Sequence, residues 1–288
     1  MNPIFITARD LPDAWFLALH SLVKNGSIYT IDKGSFEGQK RLEFDHITIY
    51  IKYPGTRPLL PDIPQQYGIP NPVSEEYLND YLPYLMTDKR NEKEEYTYGQ
   101  RLTKANFRRT FSVENGYKEF FVNQIDKVIE MFKSKGFNTN QACMEVGEPN
   151  DTTLSDPPCL RLIDCRISDN KLHFIIYFRS WDCYGGMPAN LAAIQMLKEY
   201  MAAEIGVDDG EMIVSSKGLH VYDYVWSLVE TITCKKIIKH TPRCKKCGTF
   251  GLRDSKYDSY YCPKCGIWIE NKCDDESCGY CIGRPDKP

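Results

Sequence analysis

The segment around Asp169-Asn170 constrains this chain's fold more than any other. The runs RLIDCRIS (161–168) and KLHFIIYFR (171–179) flank that pair. Both are rich in β-branched and aromatic residues that alternate with polar ones, and two residues able to adopt positive φ separate them, which predicts a two-residue β-hairpin. In that register Cys159 falls opposite Ser180 at the open end of the hairpin. Strict alternation then turns Arg179 to the other face, so only a bulge or twist at the strand end brings it to Cys159. Pro157-Pro158 restricts the backbone in front of Cys159 and sets the cysteine at a sheet edge, where a cleft can form.

The remaining elements follow from periodicity. Residues 11–24 and 74–86 read as helices, and 42–53 alternates like a strand. Six prolines between Pro54 and Pro72 exclude regular structure there, and the charged run from Asp88 to Glu95 reads as a solvated loop. Over 118–133, Phe121, Ile125, Val128, Ile129 and Phe132 share one helical face. Asn190 precedes a helical stripe that Gly206 closes; 211–215 follows as a strand and 219–230 as a further helix. This order predicts an α+β domain over residues 1–240, with packed helices on a mixed or largely antiparallel sheet.

Residues 241–288 read as a separate small module. Cys244-Lys-Lys-Cys247-Gly and Cys262-Pro-Lys-Cys265-Gly are two Cys-x-x-Cys knuckles with fourteen residues between them. Each places two thiolates on one side of a tight turn, and together they complete a four-sulfur zinc ribbon with no open position for substrate, hence a structural zinc. Cys273, Cys278 and Cys281 offer three ligands of a second site with no obvious fourth. Seven of the twelve cysteines fall after residue 240, so a reducing, cytoplasmic setting is expected rather than a disulfide framework. No run of 18 apolar residues occurs, and Arg9, Asp10 and Asp13 interrupt the first apolar stretch, so neither a membrane span nor a signal peptide is expected. A net charge of -3 and a pI near 6.0 supply no basic field. The module itself has nine basic and seven acidic side chains, so nucleic-acid binding is not the favoured reading, and a free small substrate is expected.

Taken alone, Cys159 reads as a buried apolar cysteine. Its company changes that reading: Arg179-Ser180-Trp181-Asp182, then Gly185-Gly186-Met187-Pro188-Ala189-Asn190, then Ser216-Lys217-Gly218-Leu219-His220-Val221-Tyr222. This set resembles the thymidylate synthase family over residues 95–226, and RSWDCYGGMPANL and SSKGLHVYDYVW look most like its methanogen-type branch. Arg179, Asn190 and His220 stand 20, 31 and 61 residues after the cysteine, as in the family pattern.

The resemblance implies a homodimer that transfers a one-carbon unit to C5 of a pyrimidine nucleotide. Cys159 would be the nucleophile that adds to C6, Arg179 would lower its pKa and hold phosphate, and Ser180 and Lys33 would assist. Asn190 would read the O4 and N3-H edge of uracil, although an Asn at that place is also a common helix cap. His220 and Tyr222 would bind a sugar hydroxyl. Asp182 and Gly186 would meet the methylene-tetrahydropterin, of tetrahydrofolate or tetrahydromethanopterin type. Tyr98 would position a water for C5 deprotonation, with Glu76 completing that proton network. Three departures stand out: Asn138 to Gln141 occupies the place of the family's arginine pair, Phe178 replaces a glutamine, and the closing C-terminal tail is missing. The resemblance favours methylation of dUMP to dTMP. Hydroxymethylation of dUMP, dCMP or CMP is the alternative within the family, and a degenerate nucleic-acid-binding homologue that uses the ribbon is the alternative outside it.

Overall fold

The computed structural model describes residues 1–288 except 35, 93, 113–115, 238–241 and 274–277, with backbone alone over 108–118. Strand β1 (Pro3–Ala8) turns Ile6 and Ala8 inward and leads into helix α1 (Leu11–Asn25). Asp10 caps that helix by accepting from the Asp13 amide at 3.0 Å, and Pro12 sits in the first turn, where no amide is needed. The stretch 42–53, expected as one strand, is divided. Strands β2 (Ser27–Thr30) and β3 (Lys40–Glu43) pair with each other, whereas β4 (His46–Ile51) joins a different sheet. Asp45 holds the corner between them, accepting from the Tyr29 hydroxyl at 3.0 Å and the Asn2 amide at 3.3 Å.

Residues 54–72 hold a single short 3-10 turn, Gln65–Tyr67, before Ser74 caps α2 (Glu75–Leu85). The charged run 88–95 carries neither helix nor strand among its described residues; Lys93 lies outside them. Thr97 caps α3 (Tyr98–Thr103), and β5 (Ala105–Ser112) and β6 (Gly116–Val122) form a hairpin. Helix α4 (Gln124–Lys135) starts only after Asn123, whose side chain accepts from the Asp126 amide at 3.3 Å. Phe121, expected on that helix, therefore lies on β6 and is 57% exposed, while Ile125, Val128, Ile129 and Phe132 are buried as expected. The cap, and not apolar spacing, sets where the helix begins.

Strand β7 (Cys143–Glu145) precedes the central hairpin, β8 (Leu160–Ser168) and β9 (Lys171–Phe178). Asp169 and Asn170 both have positive φ, 50° and 58°, as a two-residue turn of this kind requires. The expected register holds from Ser168↔Lys171 to Leu162↔Tyr177 and then shifts at a bulge between Leu160 and Leu162. Leu160 pairs with Phe178, and the Arg179 amide donates to the Cys159 carbonyl at 2.8 Å. Cys159 thus lies opposite Arg179 rather than Ser180.

After β10 (Trp181–Asp182), helix α5 (Gly186–Ile205) begins four residues before Asn190 and ends at Gly206, φ 88°. Then come β11 (Asp208–Ser216), β12 (Leu219–Tyr222) and α6 (Trp226–Thr233), so the helix expected from 219 starts only at 226. The main sheet runs β1-β4-β11-β9-β8-β7, with parallel and antiparallel pairs, and a second sheet runs β10-β12-β3-β2. Ile47, Ile49, Met212, Val214, Leu172, Phe174 and Ile176 point to one side of the main sheet and are essentially fully buried. Helices α1 and α5 close the core, and α5 is buried on nearly every side, which explains its apolar composition. Each large side chain buried this way contributes about 2–3 kcal/mol. The α+β architecture with a mixed sheet is as expected.

A third sheet, of antiparallel β13 (Leu252–Asp254), β14 (Ser259–Cys262) and β15 (Ile267–Trp268), carries the Cys262–Cys265 knuckle between its last two strands, and an isolated bridge between Arg243 and Phe250 closes the Cys244–Cys247 knuckle before it. The boundary expected between residues 240 and 241 lies outside the described residues. Among those described, no helix is long and apolar enough to cross a membrane.

Candidate active site

The bulge in β8 does what simple alternation forbids, because it brings Arg179 and Cys159 to the same place at the strand end. The Arg179 Nε–H points at the carbonyls of Pro157 and Pro158, both at 3.2 Å, and Nη2 reaches the Pro157 carbonyl and the Asp156 carboxylate. The guanidinium therefore clamps the turn that presents the cysteine. Behind it, an ion cluster centred on the buried Asp151 fixes the preceding loop. Arg101 meets Glu148 at 2.7 Å and Asp151 at 2.9 Å, and Arg161, the bulged residue, meets Asp151 at 2.7 Å.

Four tyrosines surround Cys159. The Tyr98 hydroxyl accepts from the Leu160 amide at 3.3 Å, and the Tyr96 ring stacks on Tyr98 with centroids 6.4 Å apart. Burial, first, and the Cys159 sulfur, as a negative charge, raise the phenol pKa values of Tyr81 and Tyr98. In Tyr96 and Tyr222, where burial also leads, the sulfur acts in the same direction, and Tyr222 is pushed up to about 12. All four are neutral donors at ordinary pH. The thiol itself is pushed up by burial, and Arg179 only partly opposes this. The sequence suggested that Arg179 would lower the thiol pKa; its pull has the expected sign but loses to desolvation.

Asn190 is not a helix cap. It lies inside α5, whose first turn is served by Asp182: the carboxylate accepts from the amides of Tyr184 (3.1 Å), Gly185 (3.1 Å) and Gly186 (2.9 Å). Released from capping, the Asn190 amide is oriented by two side chains. Its Oδ1 accepts from the Trp181 indole at 3.1 Å and its Nδ2 donates to the Tyr81 hydroxyl at 3.0 Å. Trp181 is in turn fixed by stacking on Phe178, with centroids 4.4 Å apart. Phe178, at the family's glutamine position, is thus the platform for the residue that orients Asn190.

His220 and Tyr222 lie on β12 and face the same way, with rings 4.7 Å apart. His220 Nδ1–H donates to the Gly218 carbonyl at 2.8 Å, which leaves Nε2 as an acceptor. That Nε2 is buried and without a partner, and burial lowers the imidazole pKa, so the ring is neutral. An orphaned buried acceptor costs free energy until a donor arrives, which fits a hydroxyl-bearing ligand.

The second sheet also supplies groups that sequence reasoning missed. Register places Glu43 opposite His220 and Arg41 opposite Tyr222, with the Arg41 Nε 2.6 Å from the Glu43 carboxylate. Burial pushes the Glu43 carboxyl up to about 7, against the pull of Arg41 and Lys217. No motif marked these two residues; only the pairing of β3 with β12 brings them in. Lys33 is exposed on the β2–β3 loop, whose Phe36 packs on Tyr222 at 4.5 Å. Ser180 is half-buried beside Arg179. Glu76 is exposed in the first turn of α2, and its face is not the one that carries Tyr77 and Tyr81. The structure therefore does not bring Glu76 into this group. A cavity of about 560 Å³ lined by Lys52, Lys171, His173, Glu199 and Glu211 lies at the turn end of the hairpin, the opposite end from Cys159.

The four thiols of Cys244, Cys247, Cys262 and Cys265 converge, with every sulfur within 4.8 Å of the others. Cys247 and Cys262 are 3.5 Å apart, near the roughly 3.8 Å edge of a tetrahedron with metal–sulfur bonds of about 2.3 Å. The donor set fits zinc.

A cysteine at a hairpin's open end, a fixed amide and an unsatisfied imidazole on a mixed α+β scaffold define a class of protein built to hold a polar ligand against a thiol. Comparison with known proteins gives the class its family. The thymidylate synthase family model matches residues 29–256. A protein of Methanosarcina mazei named "Putative thymidylate synthase" is 33% identical over 227 residues, covering 79% of this chain and 93% of that one. Its counterpart in Methanosarcina acetivorans is 34% identical with the same coverage. A thymidylate synthase of Listeria monocytogenes is 32% identical over 103 residues, 35% of this chain and 32% of its own length. The chain belongs to the thymidylate synthase family. Members of this family act on a pyrimidine nucleotide with a methylene-folate type cofactor and are typically dimers.

Proposed function

We propose that the chain methylates C5 of dUMP to give dTMP, with Cys159 adding to C6. The observation that carries this reading is the oriented Asn190 amide, which shares Tyr81 with the surroundings of Cys159. An amide fixed in this way matches the O4 acceptor and N3-H donor of uracil, and His220 Nε2 and Tyr222 would take the sugar hydroxyl. Addition of the Cys159 thiolate turns C5 into an enolate-like carbon that attacks an activated methylene group. Because burial keeps the free thiol protonated, its proton must leave as the base binds. Tyr98, neutral and buried, would orient the water that takes the C5 proton.

A bound methylene-tetrahydropterin would supply the one-carbon unit and, for methylation, the hydride. The residues present fit it: Asp182 is held by three amides, and the nearest group to a side chain added at Gly185 or Gly186 would be Asp182, at 3.5 and 3.2 Å. Arg179, Ser180, Lys33 and, from the structure, Arg41 are the groups at hand for phosphate. Tritium release from C5-labelled dUMP with tetrahydrofolate and tetrahydromethanopterin donors, followed by product mass, tests the reading. A methyl product supports it, a hydroxymethyl product moves the chain to the alternative chemistry, and no release with any donor sinks both.

We also infer a homodimer. The face of the main sheet away from α5 exposes Phe5 (72%), Ile175 (40%) and Ile213 (37%), apolar side chains that a second copy would cover. Sedimentation should give the mass of two chains; a monomer at micromolar concentration would contradict this. Residues 241–288 are proposed as a zinc-stabilised module. Stripping the metal should unfold this module and leave residues 1–240 folded, as followed by hydrogen exchange, whereas unchanged protection in the metal-free module would refute the assignment.

A further inference from the structure

Three turns in the C-terminal region each close a Cys-x-x-Cys pair. The Cys244 carbonyl accepts from the Gly248 amide at 2.8 Å and the Cys262 carbonyl from the Gly266 amide at 2.9 Å, in each case four residues on. Those glycines take φ of 71° and 59°. Cys278 makes a related turn: its carbonyl accepts from the amides of Cys281 and Ile282, both at 3.0 Å, with the positive-φ glycine, Gly283 at 73°, one residue later than in the other two. Cys278-Gly-Tyr-Cys281 is therefore a third knuckle, with two thiols presented on one side. Cys273 completes a cluster. Its amide donates to the Cys281 sulfur at 3.3 Å, its own sulfur lies 3.4 Å from that of Cys281, and all three sulfurs fall within 4.8 Å of one another.

The cluster is not at a loose chain end. Arg284, 5% exposed, donates to the Ser259 hydroxyl at 2.8 Å and the Glu270 carbonyl at 3.1 Å and lies over the Trp268 ring. The Trp268 indole donates to the Pro285 carbonyl at 2.7 Å. These contacts pin the chain just after the third turn to β14 and β15.

We propose that Cys273, Cys278 and Cys281 form a second metal site, which binds zinc through their three thiolates. Three soft anionic ligands at this spacing suit a d¹⁰ cation in tetrahedral geometry. Each thiol gives up its proton to solvent as the metal binds, so uptake is coupled to proton release. Among the described residues no fourth His, Cys or carboxylate joins the three.

The test is zinc per chain in the full-length protein, prepared without chelator under reducing conditions, together with Cys278→Ser/Cys281→Ser. Two zinc ions in the wild type, falling to one in the variant, is the expected result. With cobalt in place of zinc, the thiolate-to-metal absorption per chain should be lower in the variant than in the wild type. The wild-type count decides even if the variant fails to fold. One zinc per wild-type chain, or a Cys273–Cys281 disulfide in freshly reduced protein, overturns the proposal. Zero zinc would in addition remove the four-thiolate site.

Discussion

Cys159→Ala should abolish both turnover and exchange of the C5 proton, by at least about 10⁴-fold, the order of loss seen when a covalent nucleophile is removed. Proton exchange matters because it reports the adduct at C6 without requiring any one-carbon donor. Cys143→Ala and Cys165→Ala provide the contrast. Cys143 pairs with Asp164 across β7–β8, where burial puts its thiol at about 11, and Cys165 is 3% exposed inside the sheet. Their loss should cost about 1 kcal/mol of stability and leave the chemistry largely intact. The pH dependence has a definite sign. Burial raises the Cys159 thiol above the usual range while Arg179 pulls it down, so alkylation of the wild type should accelerate as pH rises through that elevated value. Arg179→Ala removes the opposing charge and should shift the profile further up. Exchange at the wild-type rate in Cys159→Ala would exclude covalent addition at this residue.

The second large effect concerns the base. Asn190 offers uracil a donor and an acceptor whose directions Trp181 and Tyr81 have already set. Cytosine reverses that pattern with a 4-amino group and a bare N3, and each buried mismatch costs about 1–3 kcal/mol. The wild type should therefore prefer dUMP over dCMP by about ten-fold or more, at about 1.4 kcal/mol per decade. In Asn190→Asp the Trp181 N–H keeps its acceptor and the Tyr81 hydroxyl can turn to donate, so the fold has no reason to fail. The preference should shrink or reverse, read as kcat/KM for both nucleotides with both proteins. An unchanged ratio would mean that the base is read elsewhere.

The hairpin was legible because a two-residue turn and strict alternation leave one register, and even the need for a bulge beside Cys159 followed from the side on which Arg179 had to lie. Element starts were less legible. Phe121 carries the right spacing for α4, yet the Asn123 cap excludes it, and Asp182 starts α5 early by binding three amides that lie beyond it in sequence. Arg41 and Glu43 were invisible for a different reason: their role depends on β3 pairing with β12, strands separated by most of the chain. Glu76 came from the resemblance alone, and on α2 it is exposed on a different face from Tyr81. The thiol pKa depended on a balance between burial and charge that no spacing encodes.

The most direct test of covalent catalysis at Cys159 uses dUMP with fluorine at C5 together with a methylene-tetrahydropterin. Fluorine cannot leave as the proton does, so an adduct that joins enzyme, base and one-carbon donor should stall and survive digestion. The account predicts one such adduct per active site, on the peptide containing Cys159, its yield lost in Cys159→Ala. An adduct on any other cysteine, or none with either pterin under conditions where dUMP is turned over, would contradict it.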